Sequence, residues 1–277
     1  MSTSSGTSSG ASPGSPRETQ TKVNRWTNEL TLMNTGYHVF MSTDALIGGS
    51  AGILAGAGAF AYAVRGRSSN VFGPSVYHGD RRRPALALTF DDGPSESTPE
   101  LLKILARHGI PATFFMCGEN VQRLPAVARE VAAAGHEIGN HTNSHPRLDF
   151  RTPEFIYREM AQAQETIQRH TNRTPRLFRA PYGVRWFGLR SAQQRLELLG
   201  VMWSVIGNDW RWPAGRIERL LVNRRRNGDI ICLHDGRRTE RAPDIHATLH
   251  AVQSAIPRIQ ERGFRFETVS QILCPTK

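Results

Sequence analysis

Cysteine is scarce in this sequence, and no two cysteines form a Cys-x-x-Cys pair. The 277 residues contain three cysteines, Cys117, Cys232 and Cys274, which lie far apart along the chain. This spacing favours neither a disulfide framework nor a cysteine-based zinc site. Cys117 and Cys232 fall in strand-like runs, and we interpret them as small buried side chains.

Acidic residues are few relative to basic ones. Lysine and arginine number 35 against 24 aspartates and glutamates, a net charge of +11. This balance favours anionic partners such as nucleic acid, acidic polymers or anionic lipid headgroups. The arginines are scattered, apart from residues 81–83 and 224–226, and aromatic residues are not interleaved with them. We therefore do not expect a nucleic-acid partner, and the sequence leaves the oligomeric state open.

Large apolar residues are sparse in the first part of the chain. Residues 1–36 are rich in Ser, Thr, Gly and Pro and are predicted to be a disordered, low-complexity tail. Residues 37–67 form an Ala/Gly-rich segment that includes 20 uncharged residues at 45–64. That length suits a membrane anchor, and the alternatives are a signal-like helix and a small soluble helix. Residues 68–83 are predicted as a linker and 84–277 as the main domain.

The charges around residues 45–64 bear on orientation. Positive charge is denser after this segment, at Arg65, Arg67 and 81–83, than before it. By the positive-inside rule, this asymmetry places the main domain in the cytoplasm.

From residue 84 onward, strand-like and helix-like runs alternate. Short apolar runs bounded by Gly or Pro predict strands, and apolar residues at helical spacing predict the intervening helices. About seven such units follow one another, which is typical of a parallel sheet with covering helices. The periodicity alone leaves two architectures open, a closed irregular barrel and an open doubly wound sheet.

Polar residues follow nearly every predicted strand. In parallel barrels the functional side chains cluster at the carboxyl ends of the strands, so we expect these residues to share one face. They are Asp91 and Asp92 after the first strand, His141 and His145 after the third, Arg179 after the fourth, Asp209 and Trp210 after the fifth, and His234 after the sixth.

The adjacent carboxylates Asp91 and Asp92 have two interpretations, a polar turn or half of a metal site. The pair His141 and His145, four residues apart, can chelate one ion, and a carboxylate from another loop completes a three-ligand set. The histidine spacing alone is weak evidence for a metal site, and the evidence becomes specific when two adjacent aspartates accompany it. Of two adjacent aspartates, one carboxylate can bind the metal while the other accepts a proton.

Other strand ends supply the remaining chemistry. His234 is the natural general acid, and Asp209 is a candidate to orient its imidazole. Arg179 cannot act as a base, and it would either hold a neighbouring aspartate ionised or form a structural ion pair.

Taken together, these residues resemble the polysaccharide deacetylase family, carbohydrate esterase family 4, in the homology domain of nodulation-type chitooligosaccharide deacetylases. The resemblance covers about residues 84–272, and the first two motifs are the most specific. The five motifs, in the family's order, are Thr89-Phe90-Asp91-Asp92-Gly93-Pro94, His141-Thr142-Asn143-Ser144-His145, Arg179-Ala180-Pro181-Tyr182, Asp209-Trp210 and Ile231-Cys232-Leu233-His234. The fourth motif departs from the family, because Ile206 stands where another aspartate is common.

The resemblance implies an α/β fold, a distorted (β/α)7-type barrel with its active site at the C-terminal ends of the strands. It implies a metal-dependent hydrolase that removes N-acetyl groups from an N-acetylglucosamine-containing glycan, such as peptidoglycan, a chitin-like oligomer or an exopolysaccharide. The implied cofactor is a divalent ion, commonly Zn2+ and otherwise Co2+, Ni2+ or Mn2+. Residues 84–277 would then be the catalytic domain. This domain would be membrane-anchored or exported and would lie outside the cytoplasm, whereas the charge asymmetry around residues 45–64 favours a cytoplasmic location.

The resemblance also implies a role for each motif residue. Asp92, His141 and His145 would bind the metal. Asp91 would be the general base, held in place by Arg179, and His234 would be the general acid, its pKa adjusted by Asp209. The Tyr182 backbone N–H would stabilise an oxyanion, and Trp210 and Leu233 would line the pocket for the acetyl methyl group.

Three other functions stay open at this point. One is an O-acetyl esterase on xylan, and another is an amidohydrolase on a lipid-linked or cyclic amide. The third is an inactive glycan-binding protein, which the complete set of catalytic and metal-binding residues disfavours.

Overall fold

The computed structural model describes residues 43–223 and 225–273, with side chains from residue 53 onward. The predicted tail (1–36) and Cys274 therefore lie outside the described residues. The chain divides into two compact units between residues 55 and 56, and the first contributes only the start of one helix to the described part.

Helix α1 (Thr43–Arg65) covers the Ala/Gly-rich segment predicted as an anchor or signal-like helix. In its last turn Ala63 and Val64 are buried and pack against Phe72 and Val184. Within residues 43–223 and 225–273, no helix combines the length and apolarity needed to cross a bilayer.

The centre of the larger unit is a sheet whose strand pairs are all parallel. Its strands are β1 (Ser75–Val76), β2 (Ala85–Gly93), β3 (Thr113–Met116), β4 (Glu137–Asn140), β5 (Leu177–Phe178), β6 (Leu199–Val201), β7 (Val205–Ile206), β8 (Asp229–His234) and β9 (Arg265–Phe266). The strand order is β1-β6-β5-β4-β3-β2-β8-β7, and β9 pairs with the start of β2.

Helices connect most of these strands, as the alternating pattern predicts. They are α2 (Thr98–Arg107), α3 (Gly118–Arg123), α4 (Pro125–Ala133), α5 (Pro153–Thr171), α6 (Leu189–Leu196), α7 (Ala214–Asn223), α8 (His246–Gln260) and α9 (Val269–Leu273). The helices begin where the sequence offers a start signal. Helix α5 shows this, since the Thr152 side chain accepts a hydrogen bond from the Phe155 N–H and Pro153 occupies the first turn.

One short connection explains why the sheet curls. Strand β6 lies next to one edge of the sheet and β7 forms the other edge, six strand positions away. Six positions in a flat sheet would span roughly 29 Å, whereas the link through residues 202–204 reaches roughly 14 Å at full extension. The sheet must therefore curl so that β6 and β7 come close together. The predicted barrel-like α/β fold is confirmed, and this crossing separates β6 from β7.

Side-chain alternation along β2 separates two layers. Its outward side chains pack beneath the helices and its inward ones fill the barrel. Leu86, Leu88 and Phe90 face outward, and Ala85, Ala87, Thr89 and Asp91 form the inward series. Because the inward residues become polar toward the end of the strand, the site opens at the carboxyl end of the barrel.

Residues 68–83 differ from the linker that the sequence predicts. Phe72 is buried, and β1 adds a parallel edge strand in register with Gly200 and Val201. Arg185 is also buried here and donates a hydrogen bond to the Ser69 carbonyl. This stretch is thus part of the folded unit, and its two-residue strand is too short to leave a periodic pattern in the sequence.

We expect Gly139→Ala to destabilise the fold by about 1–3 kcal/mol, the usual cost of an extra methyl group in a full core. A Cβ atom at Gly139 would overlap the Phe115 ring and lie 3.3 Å from the Leu177 carbonyl oxygen. Urea unfolding of the full chain measures the change. Gly215→Ala is the matched control, since its Cβ would meet only Arg219 Nη1 at 3.7 Å. Equal midpoints for the two variants would contradict this packing.

Candidate active site

A β-bulge brings the two adjacent aspartates to the same side of the sheet. In a regular strand Asp91 and Asp92 would point to opposite faces. Here Asp91 pairs with Phe115 and Gly93 with the next residue of β3, so Asp92 is the extra residue of a bulge. Its backbone has φ 71°, in the left-handed region. Both carboxylates therefore reach one cavity.

Arg179 lies directly beneath Asp91 and is fully buried. Its guanidinium donates to the Asp91 carboxylate at 2.6 Å and to the Thr89 hydroxyl at 2.7 Å. It also donates to the Val201 carbonyl at 3.1 Å and lies 4.0 Å above the centre of the Phe115 ring. A buried guanidinium requires such partners, because an unpaired buried charge costs several kcal/mol. The ion pair predicted between Arg179 and an aspartate is present.

Asp92, His141 and His145 converge as a candidate metal centre. The Asp92 Oδ1 atom lies 3.2 Å from His141 Nε2 and 3.0 Å from His145 Nε2. The other carboxylate oxygen, Oδ2, accepts a hydrogen bond from the Arg238 backbone N–H at 2.8 Å. All three side chains are buried, as befits a ligand set rather than a solvated polar turn.

The hydrogen bonds around this trio leave its facing atoms unprotonated, as a cation site requires. His141 Nδ1 lies 2.7 Å from the Arg179 carbonyl oxygen, which only accepts, so the ring proton sits on Nδ1 and Nε2 presents a lone pair. Burial lowers the pKa of His145 and favours its neutral, ligating form. Asp92 Oδ1 is buried and has no hydrogen-bond donor among the described residues. Three electron-pair donors thus face one another, and a divalent ion fits between them.

The loop that carries the histidines is held by helix α5. The Glu159 carboxylate accepts hydrogen bonds from the backbone N–H groups of Asn143 and Ser144, at 3.0 and 2.9 Å. It also accepts one from the Ser144 hydroxyl at 3.0 Å. His145 has φ 58°, a conformation that such bonds can maintain. Glu159 is a positioning residue that the sequence analysis missed, because nothing in its local pattern distinguishes it from a surface glutamate.

A second acid–histidine pair faces the aspartates. His234 Nδ1 lies 2.8 Å from Asp209 Oδ1, and the His234 backbone N–H donates to Asp209 Oδ2 at 2.8 Å. The Thr248 hydroxyl donates to the same Oδ2 at 2.6 Å. Burial alone would lower the pKa of His234, but the Asp209 carboxylate outweighs it and raises the pKa to about 9. His234 is therefore protonated at neutral pH, the state that a general acid requires.

The predicted residues meet around a cavity of about 620 Å³. Its lining includes Asp91, Asp92, His141, His145, Tyr182, Trp210 and His234. Arg179 and Asp209 are buried behind this surface and contact the side chains that line it. The Tyr182 backbone, at φ 58°, turns at the rim, where its ring meets the His145 ring with centroids 4.8 Å apart. The Trp210 ring meets His234 at 5.2 Å.

Leu233 differs from the pocket wall that the family resemblance implies. Strand alternation points it to the outer face, where it is fully buried in the core beneath the helices. Its neighbours Cys232 and His234 point inward and line the cavity instead. The Cys232 sulfur lies 3.3 Å from Asp91 Oδ2, and burial raises its pKa, so it stays a neutral thiol.

Several cavity residues were not predicted from the sequence. They are Arg65, Arg147, Trp203, Ile206, Asn208, Arg237, Arg238 and Glu240. Arg237 and Arg238 lie three and four residues after His234, the end of the fifth motif, and this position was a usable signal. Arg65 had no such signal, because it ends a helix that precedes the matching domain.

The fold and this site define a known class of protein. A family profile described as Polysaccharide deacetylase matches residues 78–202. A chitooligosaccharide deacetylase of Bradyrhizobium sp. (strain ANU 289) is 35% identical over 221 residues, which are 76% of this chain and 96% of that protein. The chain belongs to the polysaccharide deacetylase family. A peptidoglycan-N-acetylglucosamine deacetylase of Bacillus cereus is 32% identical and covers 68% of this chain and 87% of its own.

Solved structures agree with this assignment. A crystal structure of a peptidoglycan N-acetylglucosamine deacetylase superposes with a TM-score of 0.67 at 30% identity, over 73% of this chain and 93% of that one. A family 4 carbohydrate esterase from Streptomyces lividans, in complex with acetate, gives a TM-score of 0.61 at 30% identity, over 66% and 92%. The fold is also shared with a family 4 pseudoenzyme from Bacillus anthracis, at 23% identity and a TM-score of 0.67. The fold alone therefore does not establish activity.

We expect the His234 ring of the metal-free protein to titrate near pH 9, and at a lower pH in Asp209→Asn, which loses the negative charge that raises the pKa. The folded-state pKa lies above the ordinary 6.5, so protonated His234 stabilises the fold below about pH 6.5 and this stabilisation is lost as the pH rises through about 9. Histidine NMR titration measures both values. Glu130→Gln removes the same charge from an exposed position of helix α4 and should leave the titration unchanged. Identical curves for wild type and Asp209→Asn would contradict this coupling.

Proposed function

We propose that this enzyme hydrolyses the N-acetyl groups of an N-acetylglucosamine-containing glycan, such as peptidoglycan, a chitin-like oligomer or an exopolysaccharide. The observation that carries the proposal is the meeting of Asp91, His234 and the Asp92-His141-His145 trio in one cavity. The relatives named above are deacetylases of chitooligosaccharides and of peptidoglycan, which supports the same bond and the same sugar.

The side chains divide the proton transfers of amide hydrolysis. Asp91, held by Arg179, accepts the proton of the attacking water as the new C–O bond forms. His234, held by Asp209, donates a proton to the nitrogen as the C–N bond breaks, which releases acetate and a free amine. The Tyr182 backbone N–H, in this proposal, donates to the oxygen that becomes negatively charged. Trp210 shields the acetyl methyl group on the His234 side of the cavity.

Asp92, His141 and His145 would hold a divalent ion, and we favour Zn2+. Two imidazole nitrogens and one carboxylate oxygen are a common catalytic zinc set. Such an ion, when bound, supplies a Lewis acid for the acetyl carbonyl and for water. Co2+, Ni2+ and Mn2+ accept the same ligands, so metal analysis of the purified protein decides the identity.

The competing functions are separated by product analysis. Acetate release from chitooligosaccharides or peptidoglycan supports the proposal, whereas release only from acetylated xylan or from a lipid-linked or cyclic amide would favour those substrates. Stoichiometric metal with no release from any acetylated glycan would point to an inactive glycan-binding protein. That last outcome has a structural precedent in the pseudoenzyme of the same fold.

The division of labour between the two aspartates is testable by two isosteric variants. Asp91→Asn should retain metal and lower kcat by at least about 100-fold, because it removes the proton acceptor and leaves all three metal ligands in place. Asp92→Asn should weaken metal binding by at least about tenfold, because it removes a ligand. Metal content by elemental analysis and acetate release are measured on both, and each variant is the control for the other. The reverse pattern would exchange the two roles.

We further propose that residues 45–64 associate the chain with a membrane, and that the catalytic domain is anchored or exported. Ile53 and Leu54 on helix α1 are 75% and 72% exposed. In the larger unit, exposed Phe60 and Phe150 both contact Trp186 and form an aromatic patch. Aromatic side chains favour the membrane–water interface.

Fractionation of cells that express the full chain tests this association. The expected result is recovery with membranes, or a shortened chain outside the cytoplasm. Replacing Ile53 and Leu54 by Ser should shift the protein toward the soluble fraction, and Val71→Ser, at an exposed site outside α1, is the control. Wild-type protein that is wholly soluble, uncleaved and cytoplasmic would contradict the proposal.

A further inference from the structure

The end of helix α1 forms part of the active-site cavity. Arg65, the last residue of the helix, lines the same cavity as the catalytic residues, although it precedes the residues that match the family profile. Arg65 and Trp203 also line an adjoining shallow cavity together with Tyr62 and Arg67. The groove around the site therefore extends onto a segment outside the matched part of the family domain.

Hydrogen bonds hold this segment against the barrel. Buried Arg185 donates to the carbonyl oxygens of Gly66 and Ser69, and its own backbone N–H donates to the Val64 carbonyl at 3.0 Å. The Arg67 guanidinium donates to the Ser204 carbonyl at 2.6 Å, in the connection between β6 and β7. The wall that carries Arg65 is thus positioned by the barrel itself.

The mouth of the cavity is cationic. Outside the catalytic and metal-binding set, its charged lining residues within the described chain are one glutamate, Glu240, and four arginines that we call the arginine rim: Arg65, Arg147, Arg237 and Arg238. The Asp91 carboxylate does not offset this charge, because it is paired with Arg179.

Members of the arginine rim lie close together around Tyr182. The guanidinium carbons of Arg147 and Arg238 are 5.9 and 5.8 Å from the centre of the Tyr182 ring. Arg147 pairs with Asp149 at 2.6 Å, and Arg147, with a smaller contribution from Arg65, holds the pKa of Asp149 below its usual range. Asp149 thus pairs directly with Arg147.

A guanidinium presents a planar fork of N–H donors that matches a carboxylate or a phosphate better than the hydroxyl groups of a neutral sugar. We propose that the arginine rim binds an anionic group, a carboxylate or a phosphate, on the glycan unit next to the N-acetylated sugar. Helix α1 thereby contributes to substrate choice through Arg65. This subsite rests on the proposed function, which identifies the substrate as a glycan, and it specifies further that the glycan is anionic.

Glycan binding is measured on the full-length, metal-loaded protein carrying Asp91→Asn, which tests the subsite without turnover. Calorimetry compares three N-acetylglucosamine oligomers of equal length: neutral, with one uronic carboxylate, and with a terminal phosphate. At low salt we expect an anionic oligomer to bind about tenfold more tightly than the neutral one, and this ratio to shrink as salt screens the charges. Preference for the carboxylate or for the phosphate alone supports the proposal and identifies the source of the charge.

The arginine variants locate the effect. Arg65→Gln and Arg238→Gln should each lower the anionic-to-neutral affinity ratio about fivefold, and Arg65→Lys should restore part of it. Arg129→Gln, which removes the same charge from an exposed position of helix α4, should leave the ratio unchanged. Equal affinity of the starting protein for neutral and anionic oligomers, or equal loss in Arg129→Gln, would overturn the subsite. Anionic preference without acetate release from any glycan by the wild type would instead overturn the proposed function and leave the subsite in place.

Discussion

The buried ion pair between Arg179 and Asp91 is the interaction on which the site depends. The Arg179 guanidinium lies inside the barrel, where it joins the end of β2 to the carbonyl of Val201 in β6 and packs on the Phe115 ring. Removing one partner of such a pair strands a buried charge, at a cost of about 3–5 kcal/mol. The carboxylate that we assign as the base is therefore also part of what holds opposite walls of the barrel together.

The same arginine reaches the candidate metal centre through its backbone. The Arg179 carbonyl accepts the Nδ1 proton of His141 and so leaves Nε2 free to face Asp92. On the far side, Asp209 holds His234 in an independent pair supported by Thr248. Base, ligand set and acid are thus positioned by buried hydrogen bonds rather than by surface loops, which limits how far each can move relative to the substrate.

Much of this arrangement was predictable, because chemistry and strand ends coincide in the sequence. The aspartate pair, the two histidines, Arg179, Asp209 and His234 all follow predicted strands, and the parallel topology brings them to one cavity. The errors came from details of strand geometry. Leu233 lies between two inward residues of β8 and must point outward, and residues 68–83 add an edge strand too short to show a period.

The sequence by itself determined the alternation of strands and helices, the family and the set of chemical groups, since each depends on residue types at short spacing. Only the tertiary structure decided which way those groups point. The bulge at Asp92 turns it to the same side as Asp91, and the crossing at residues 202–204 curls the sheet so that residues at the ends of β4 and β8 line one cavity. It also brought Arg65 beside catalytic residues far along the chain. Such contacts depend on packing between distant segments, and no local pattern encodes them.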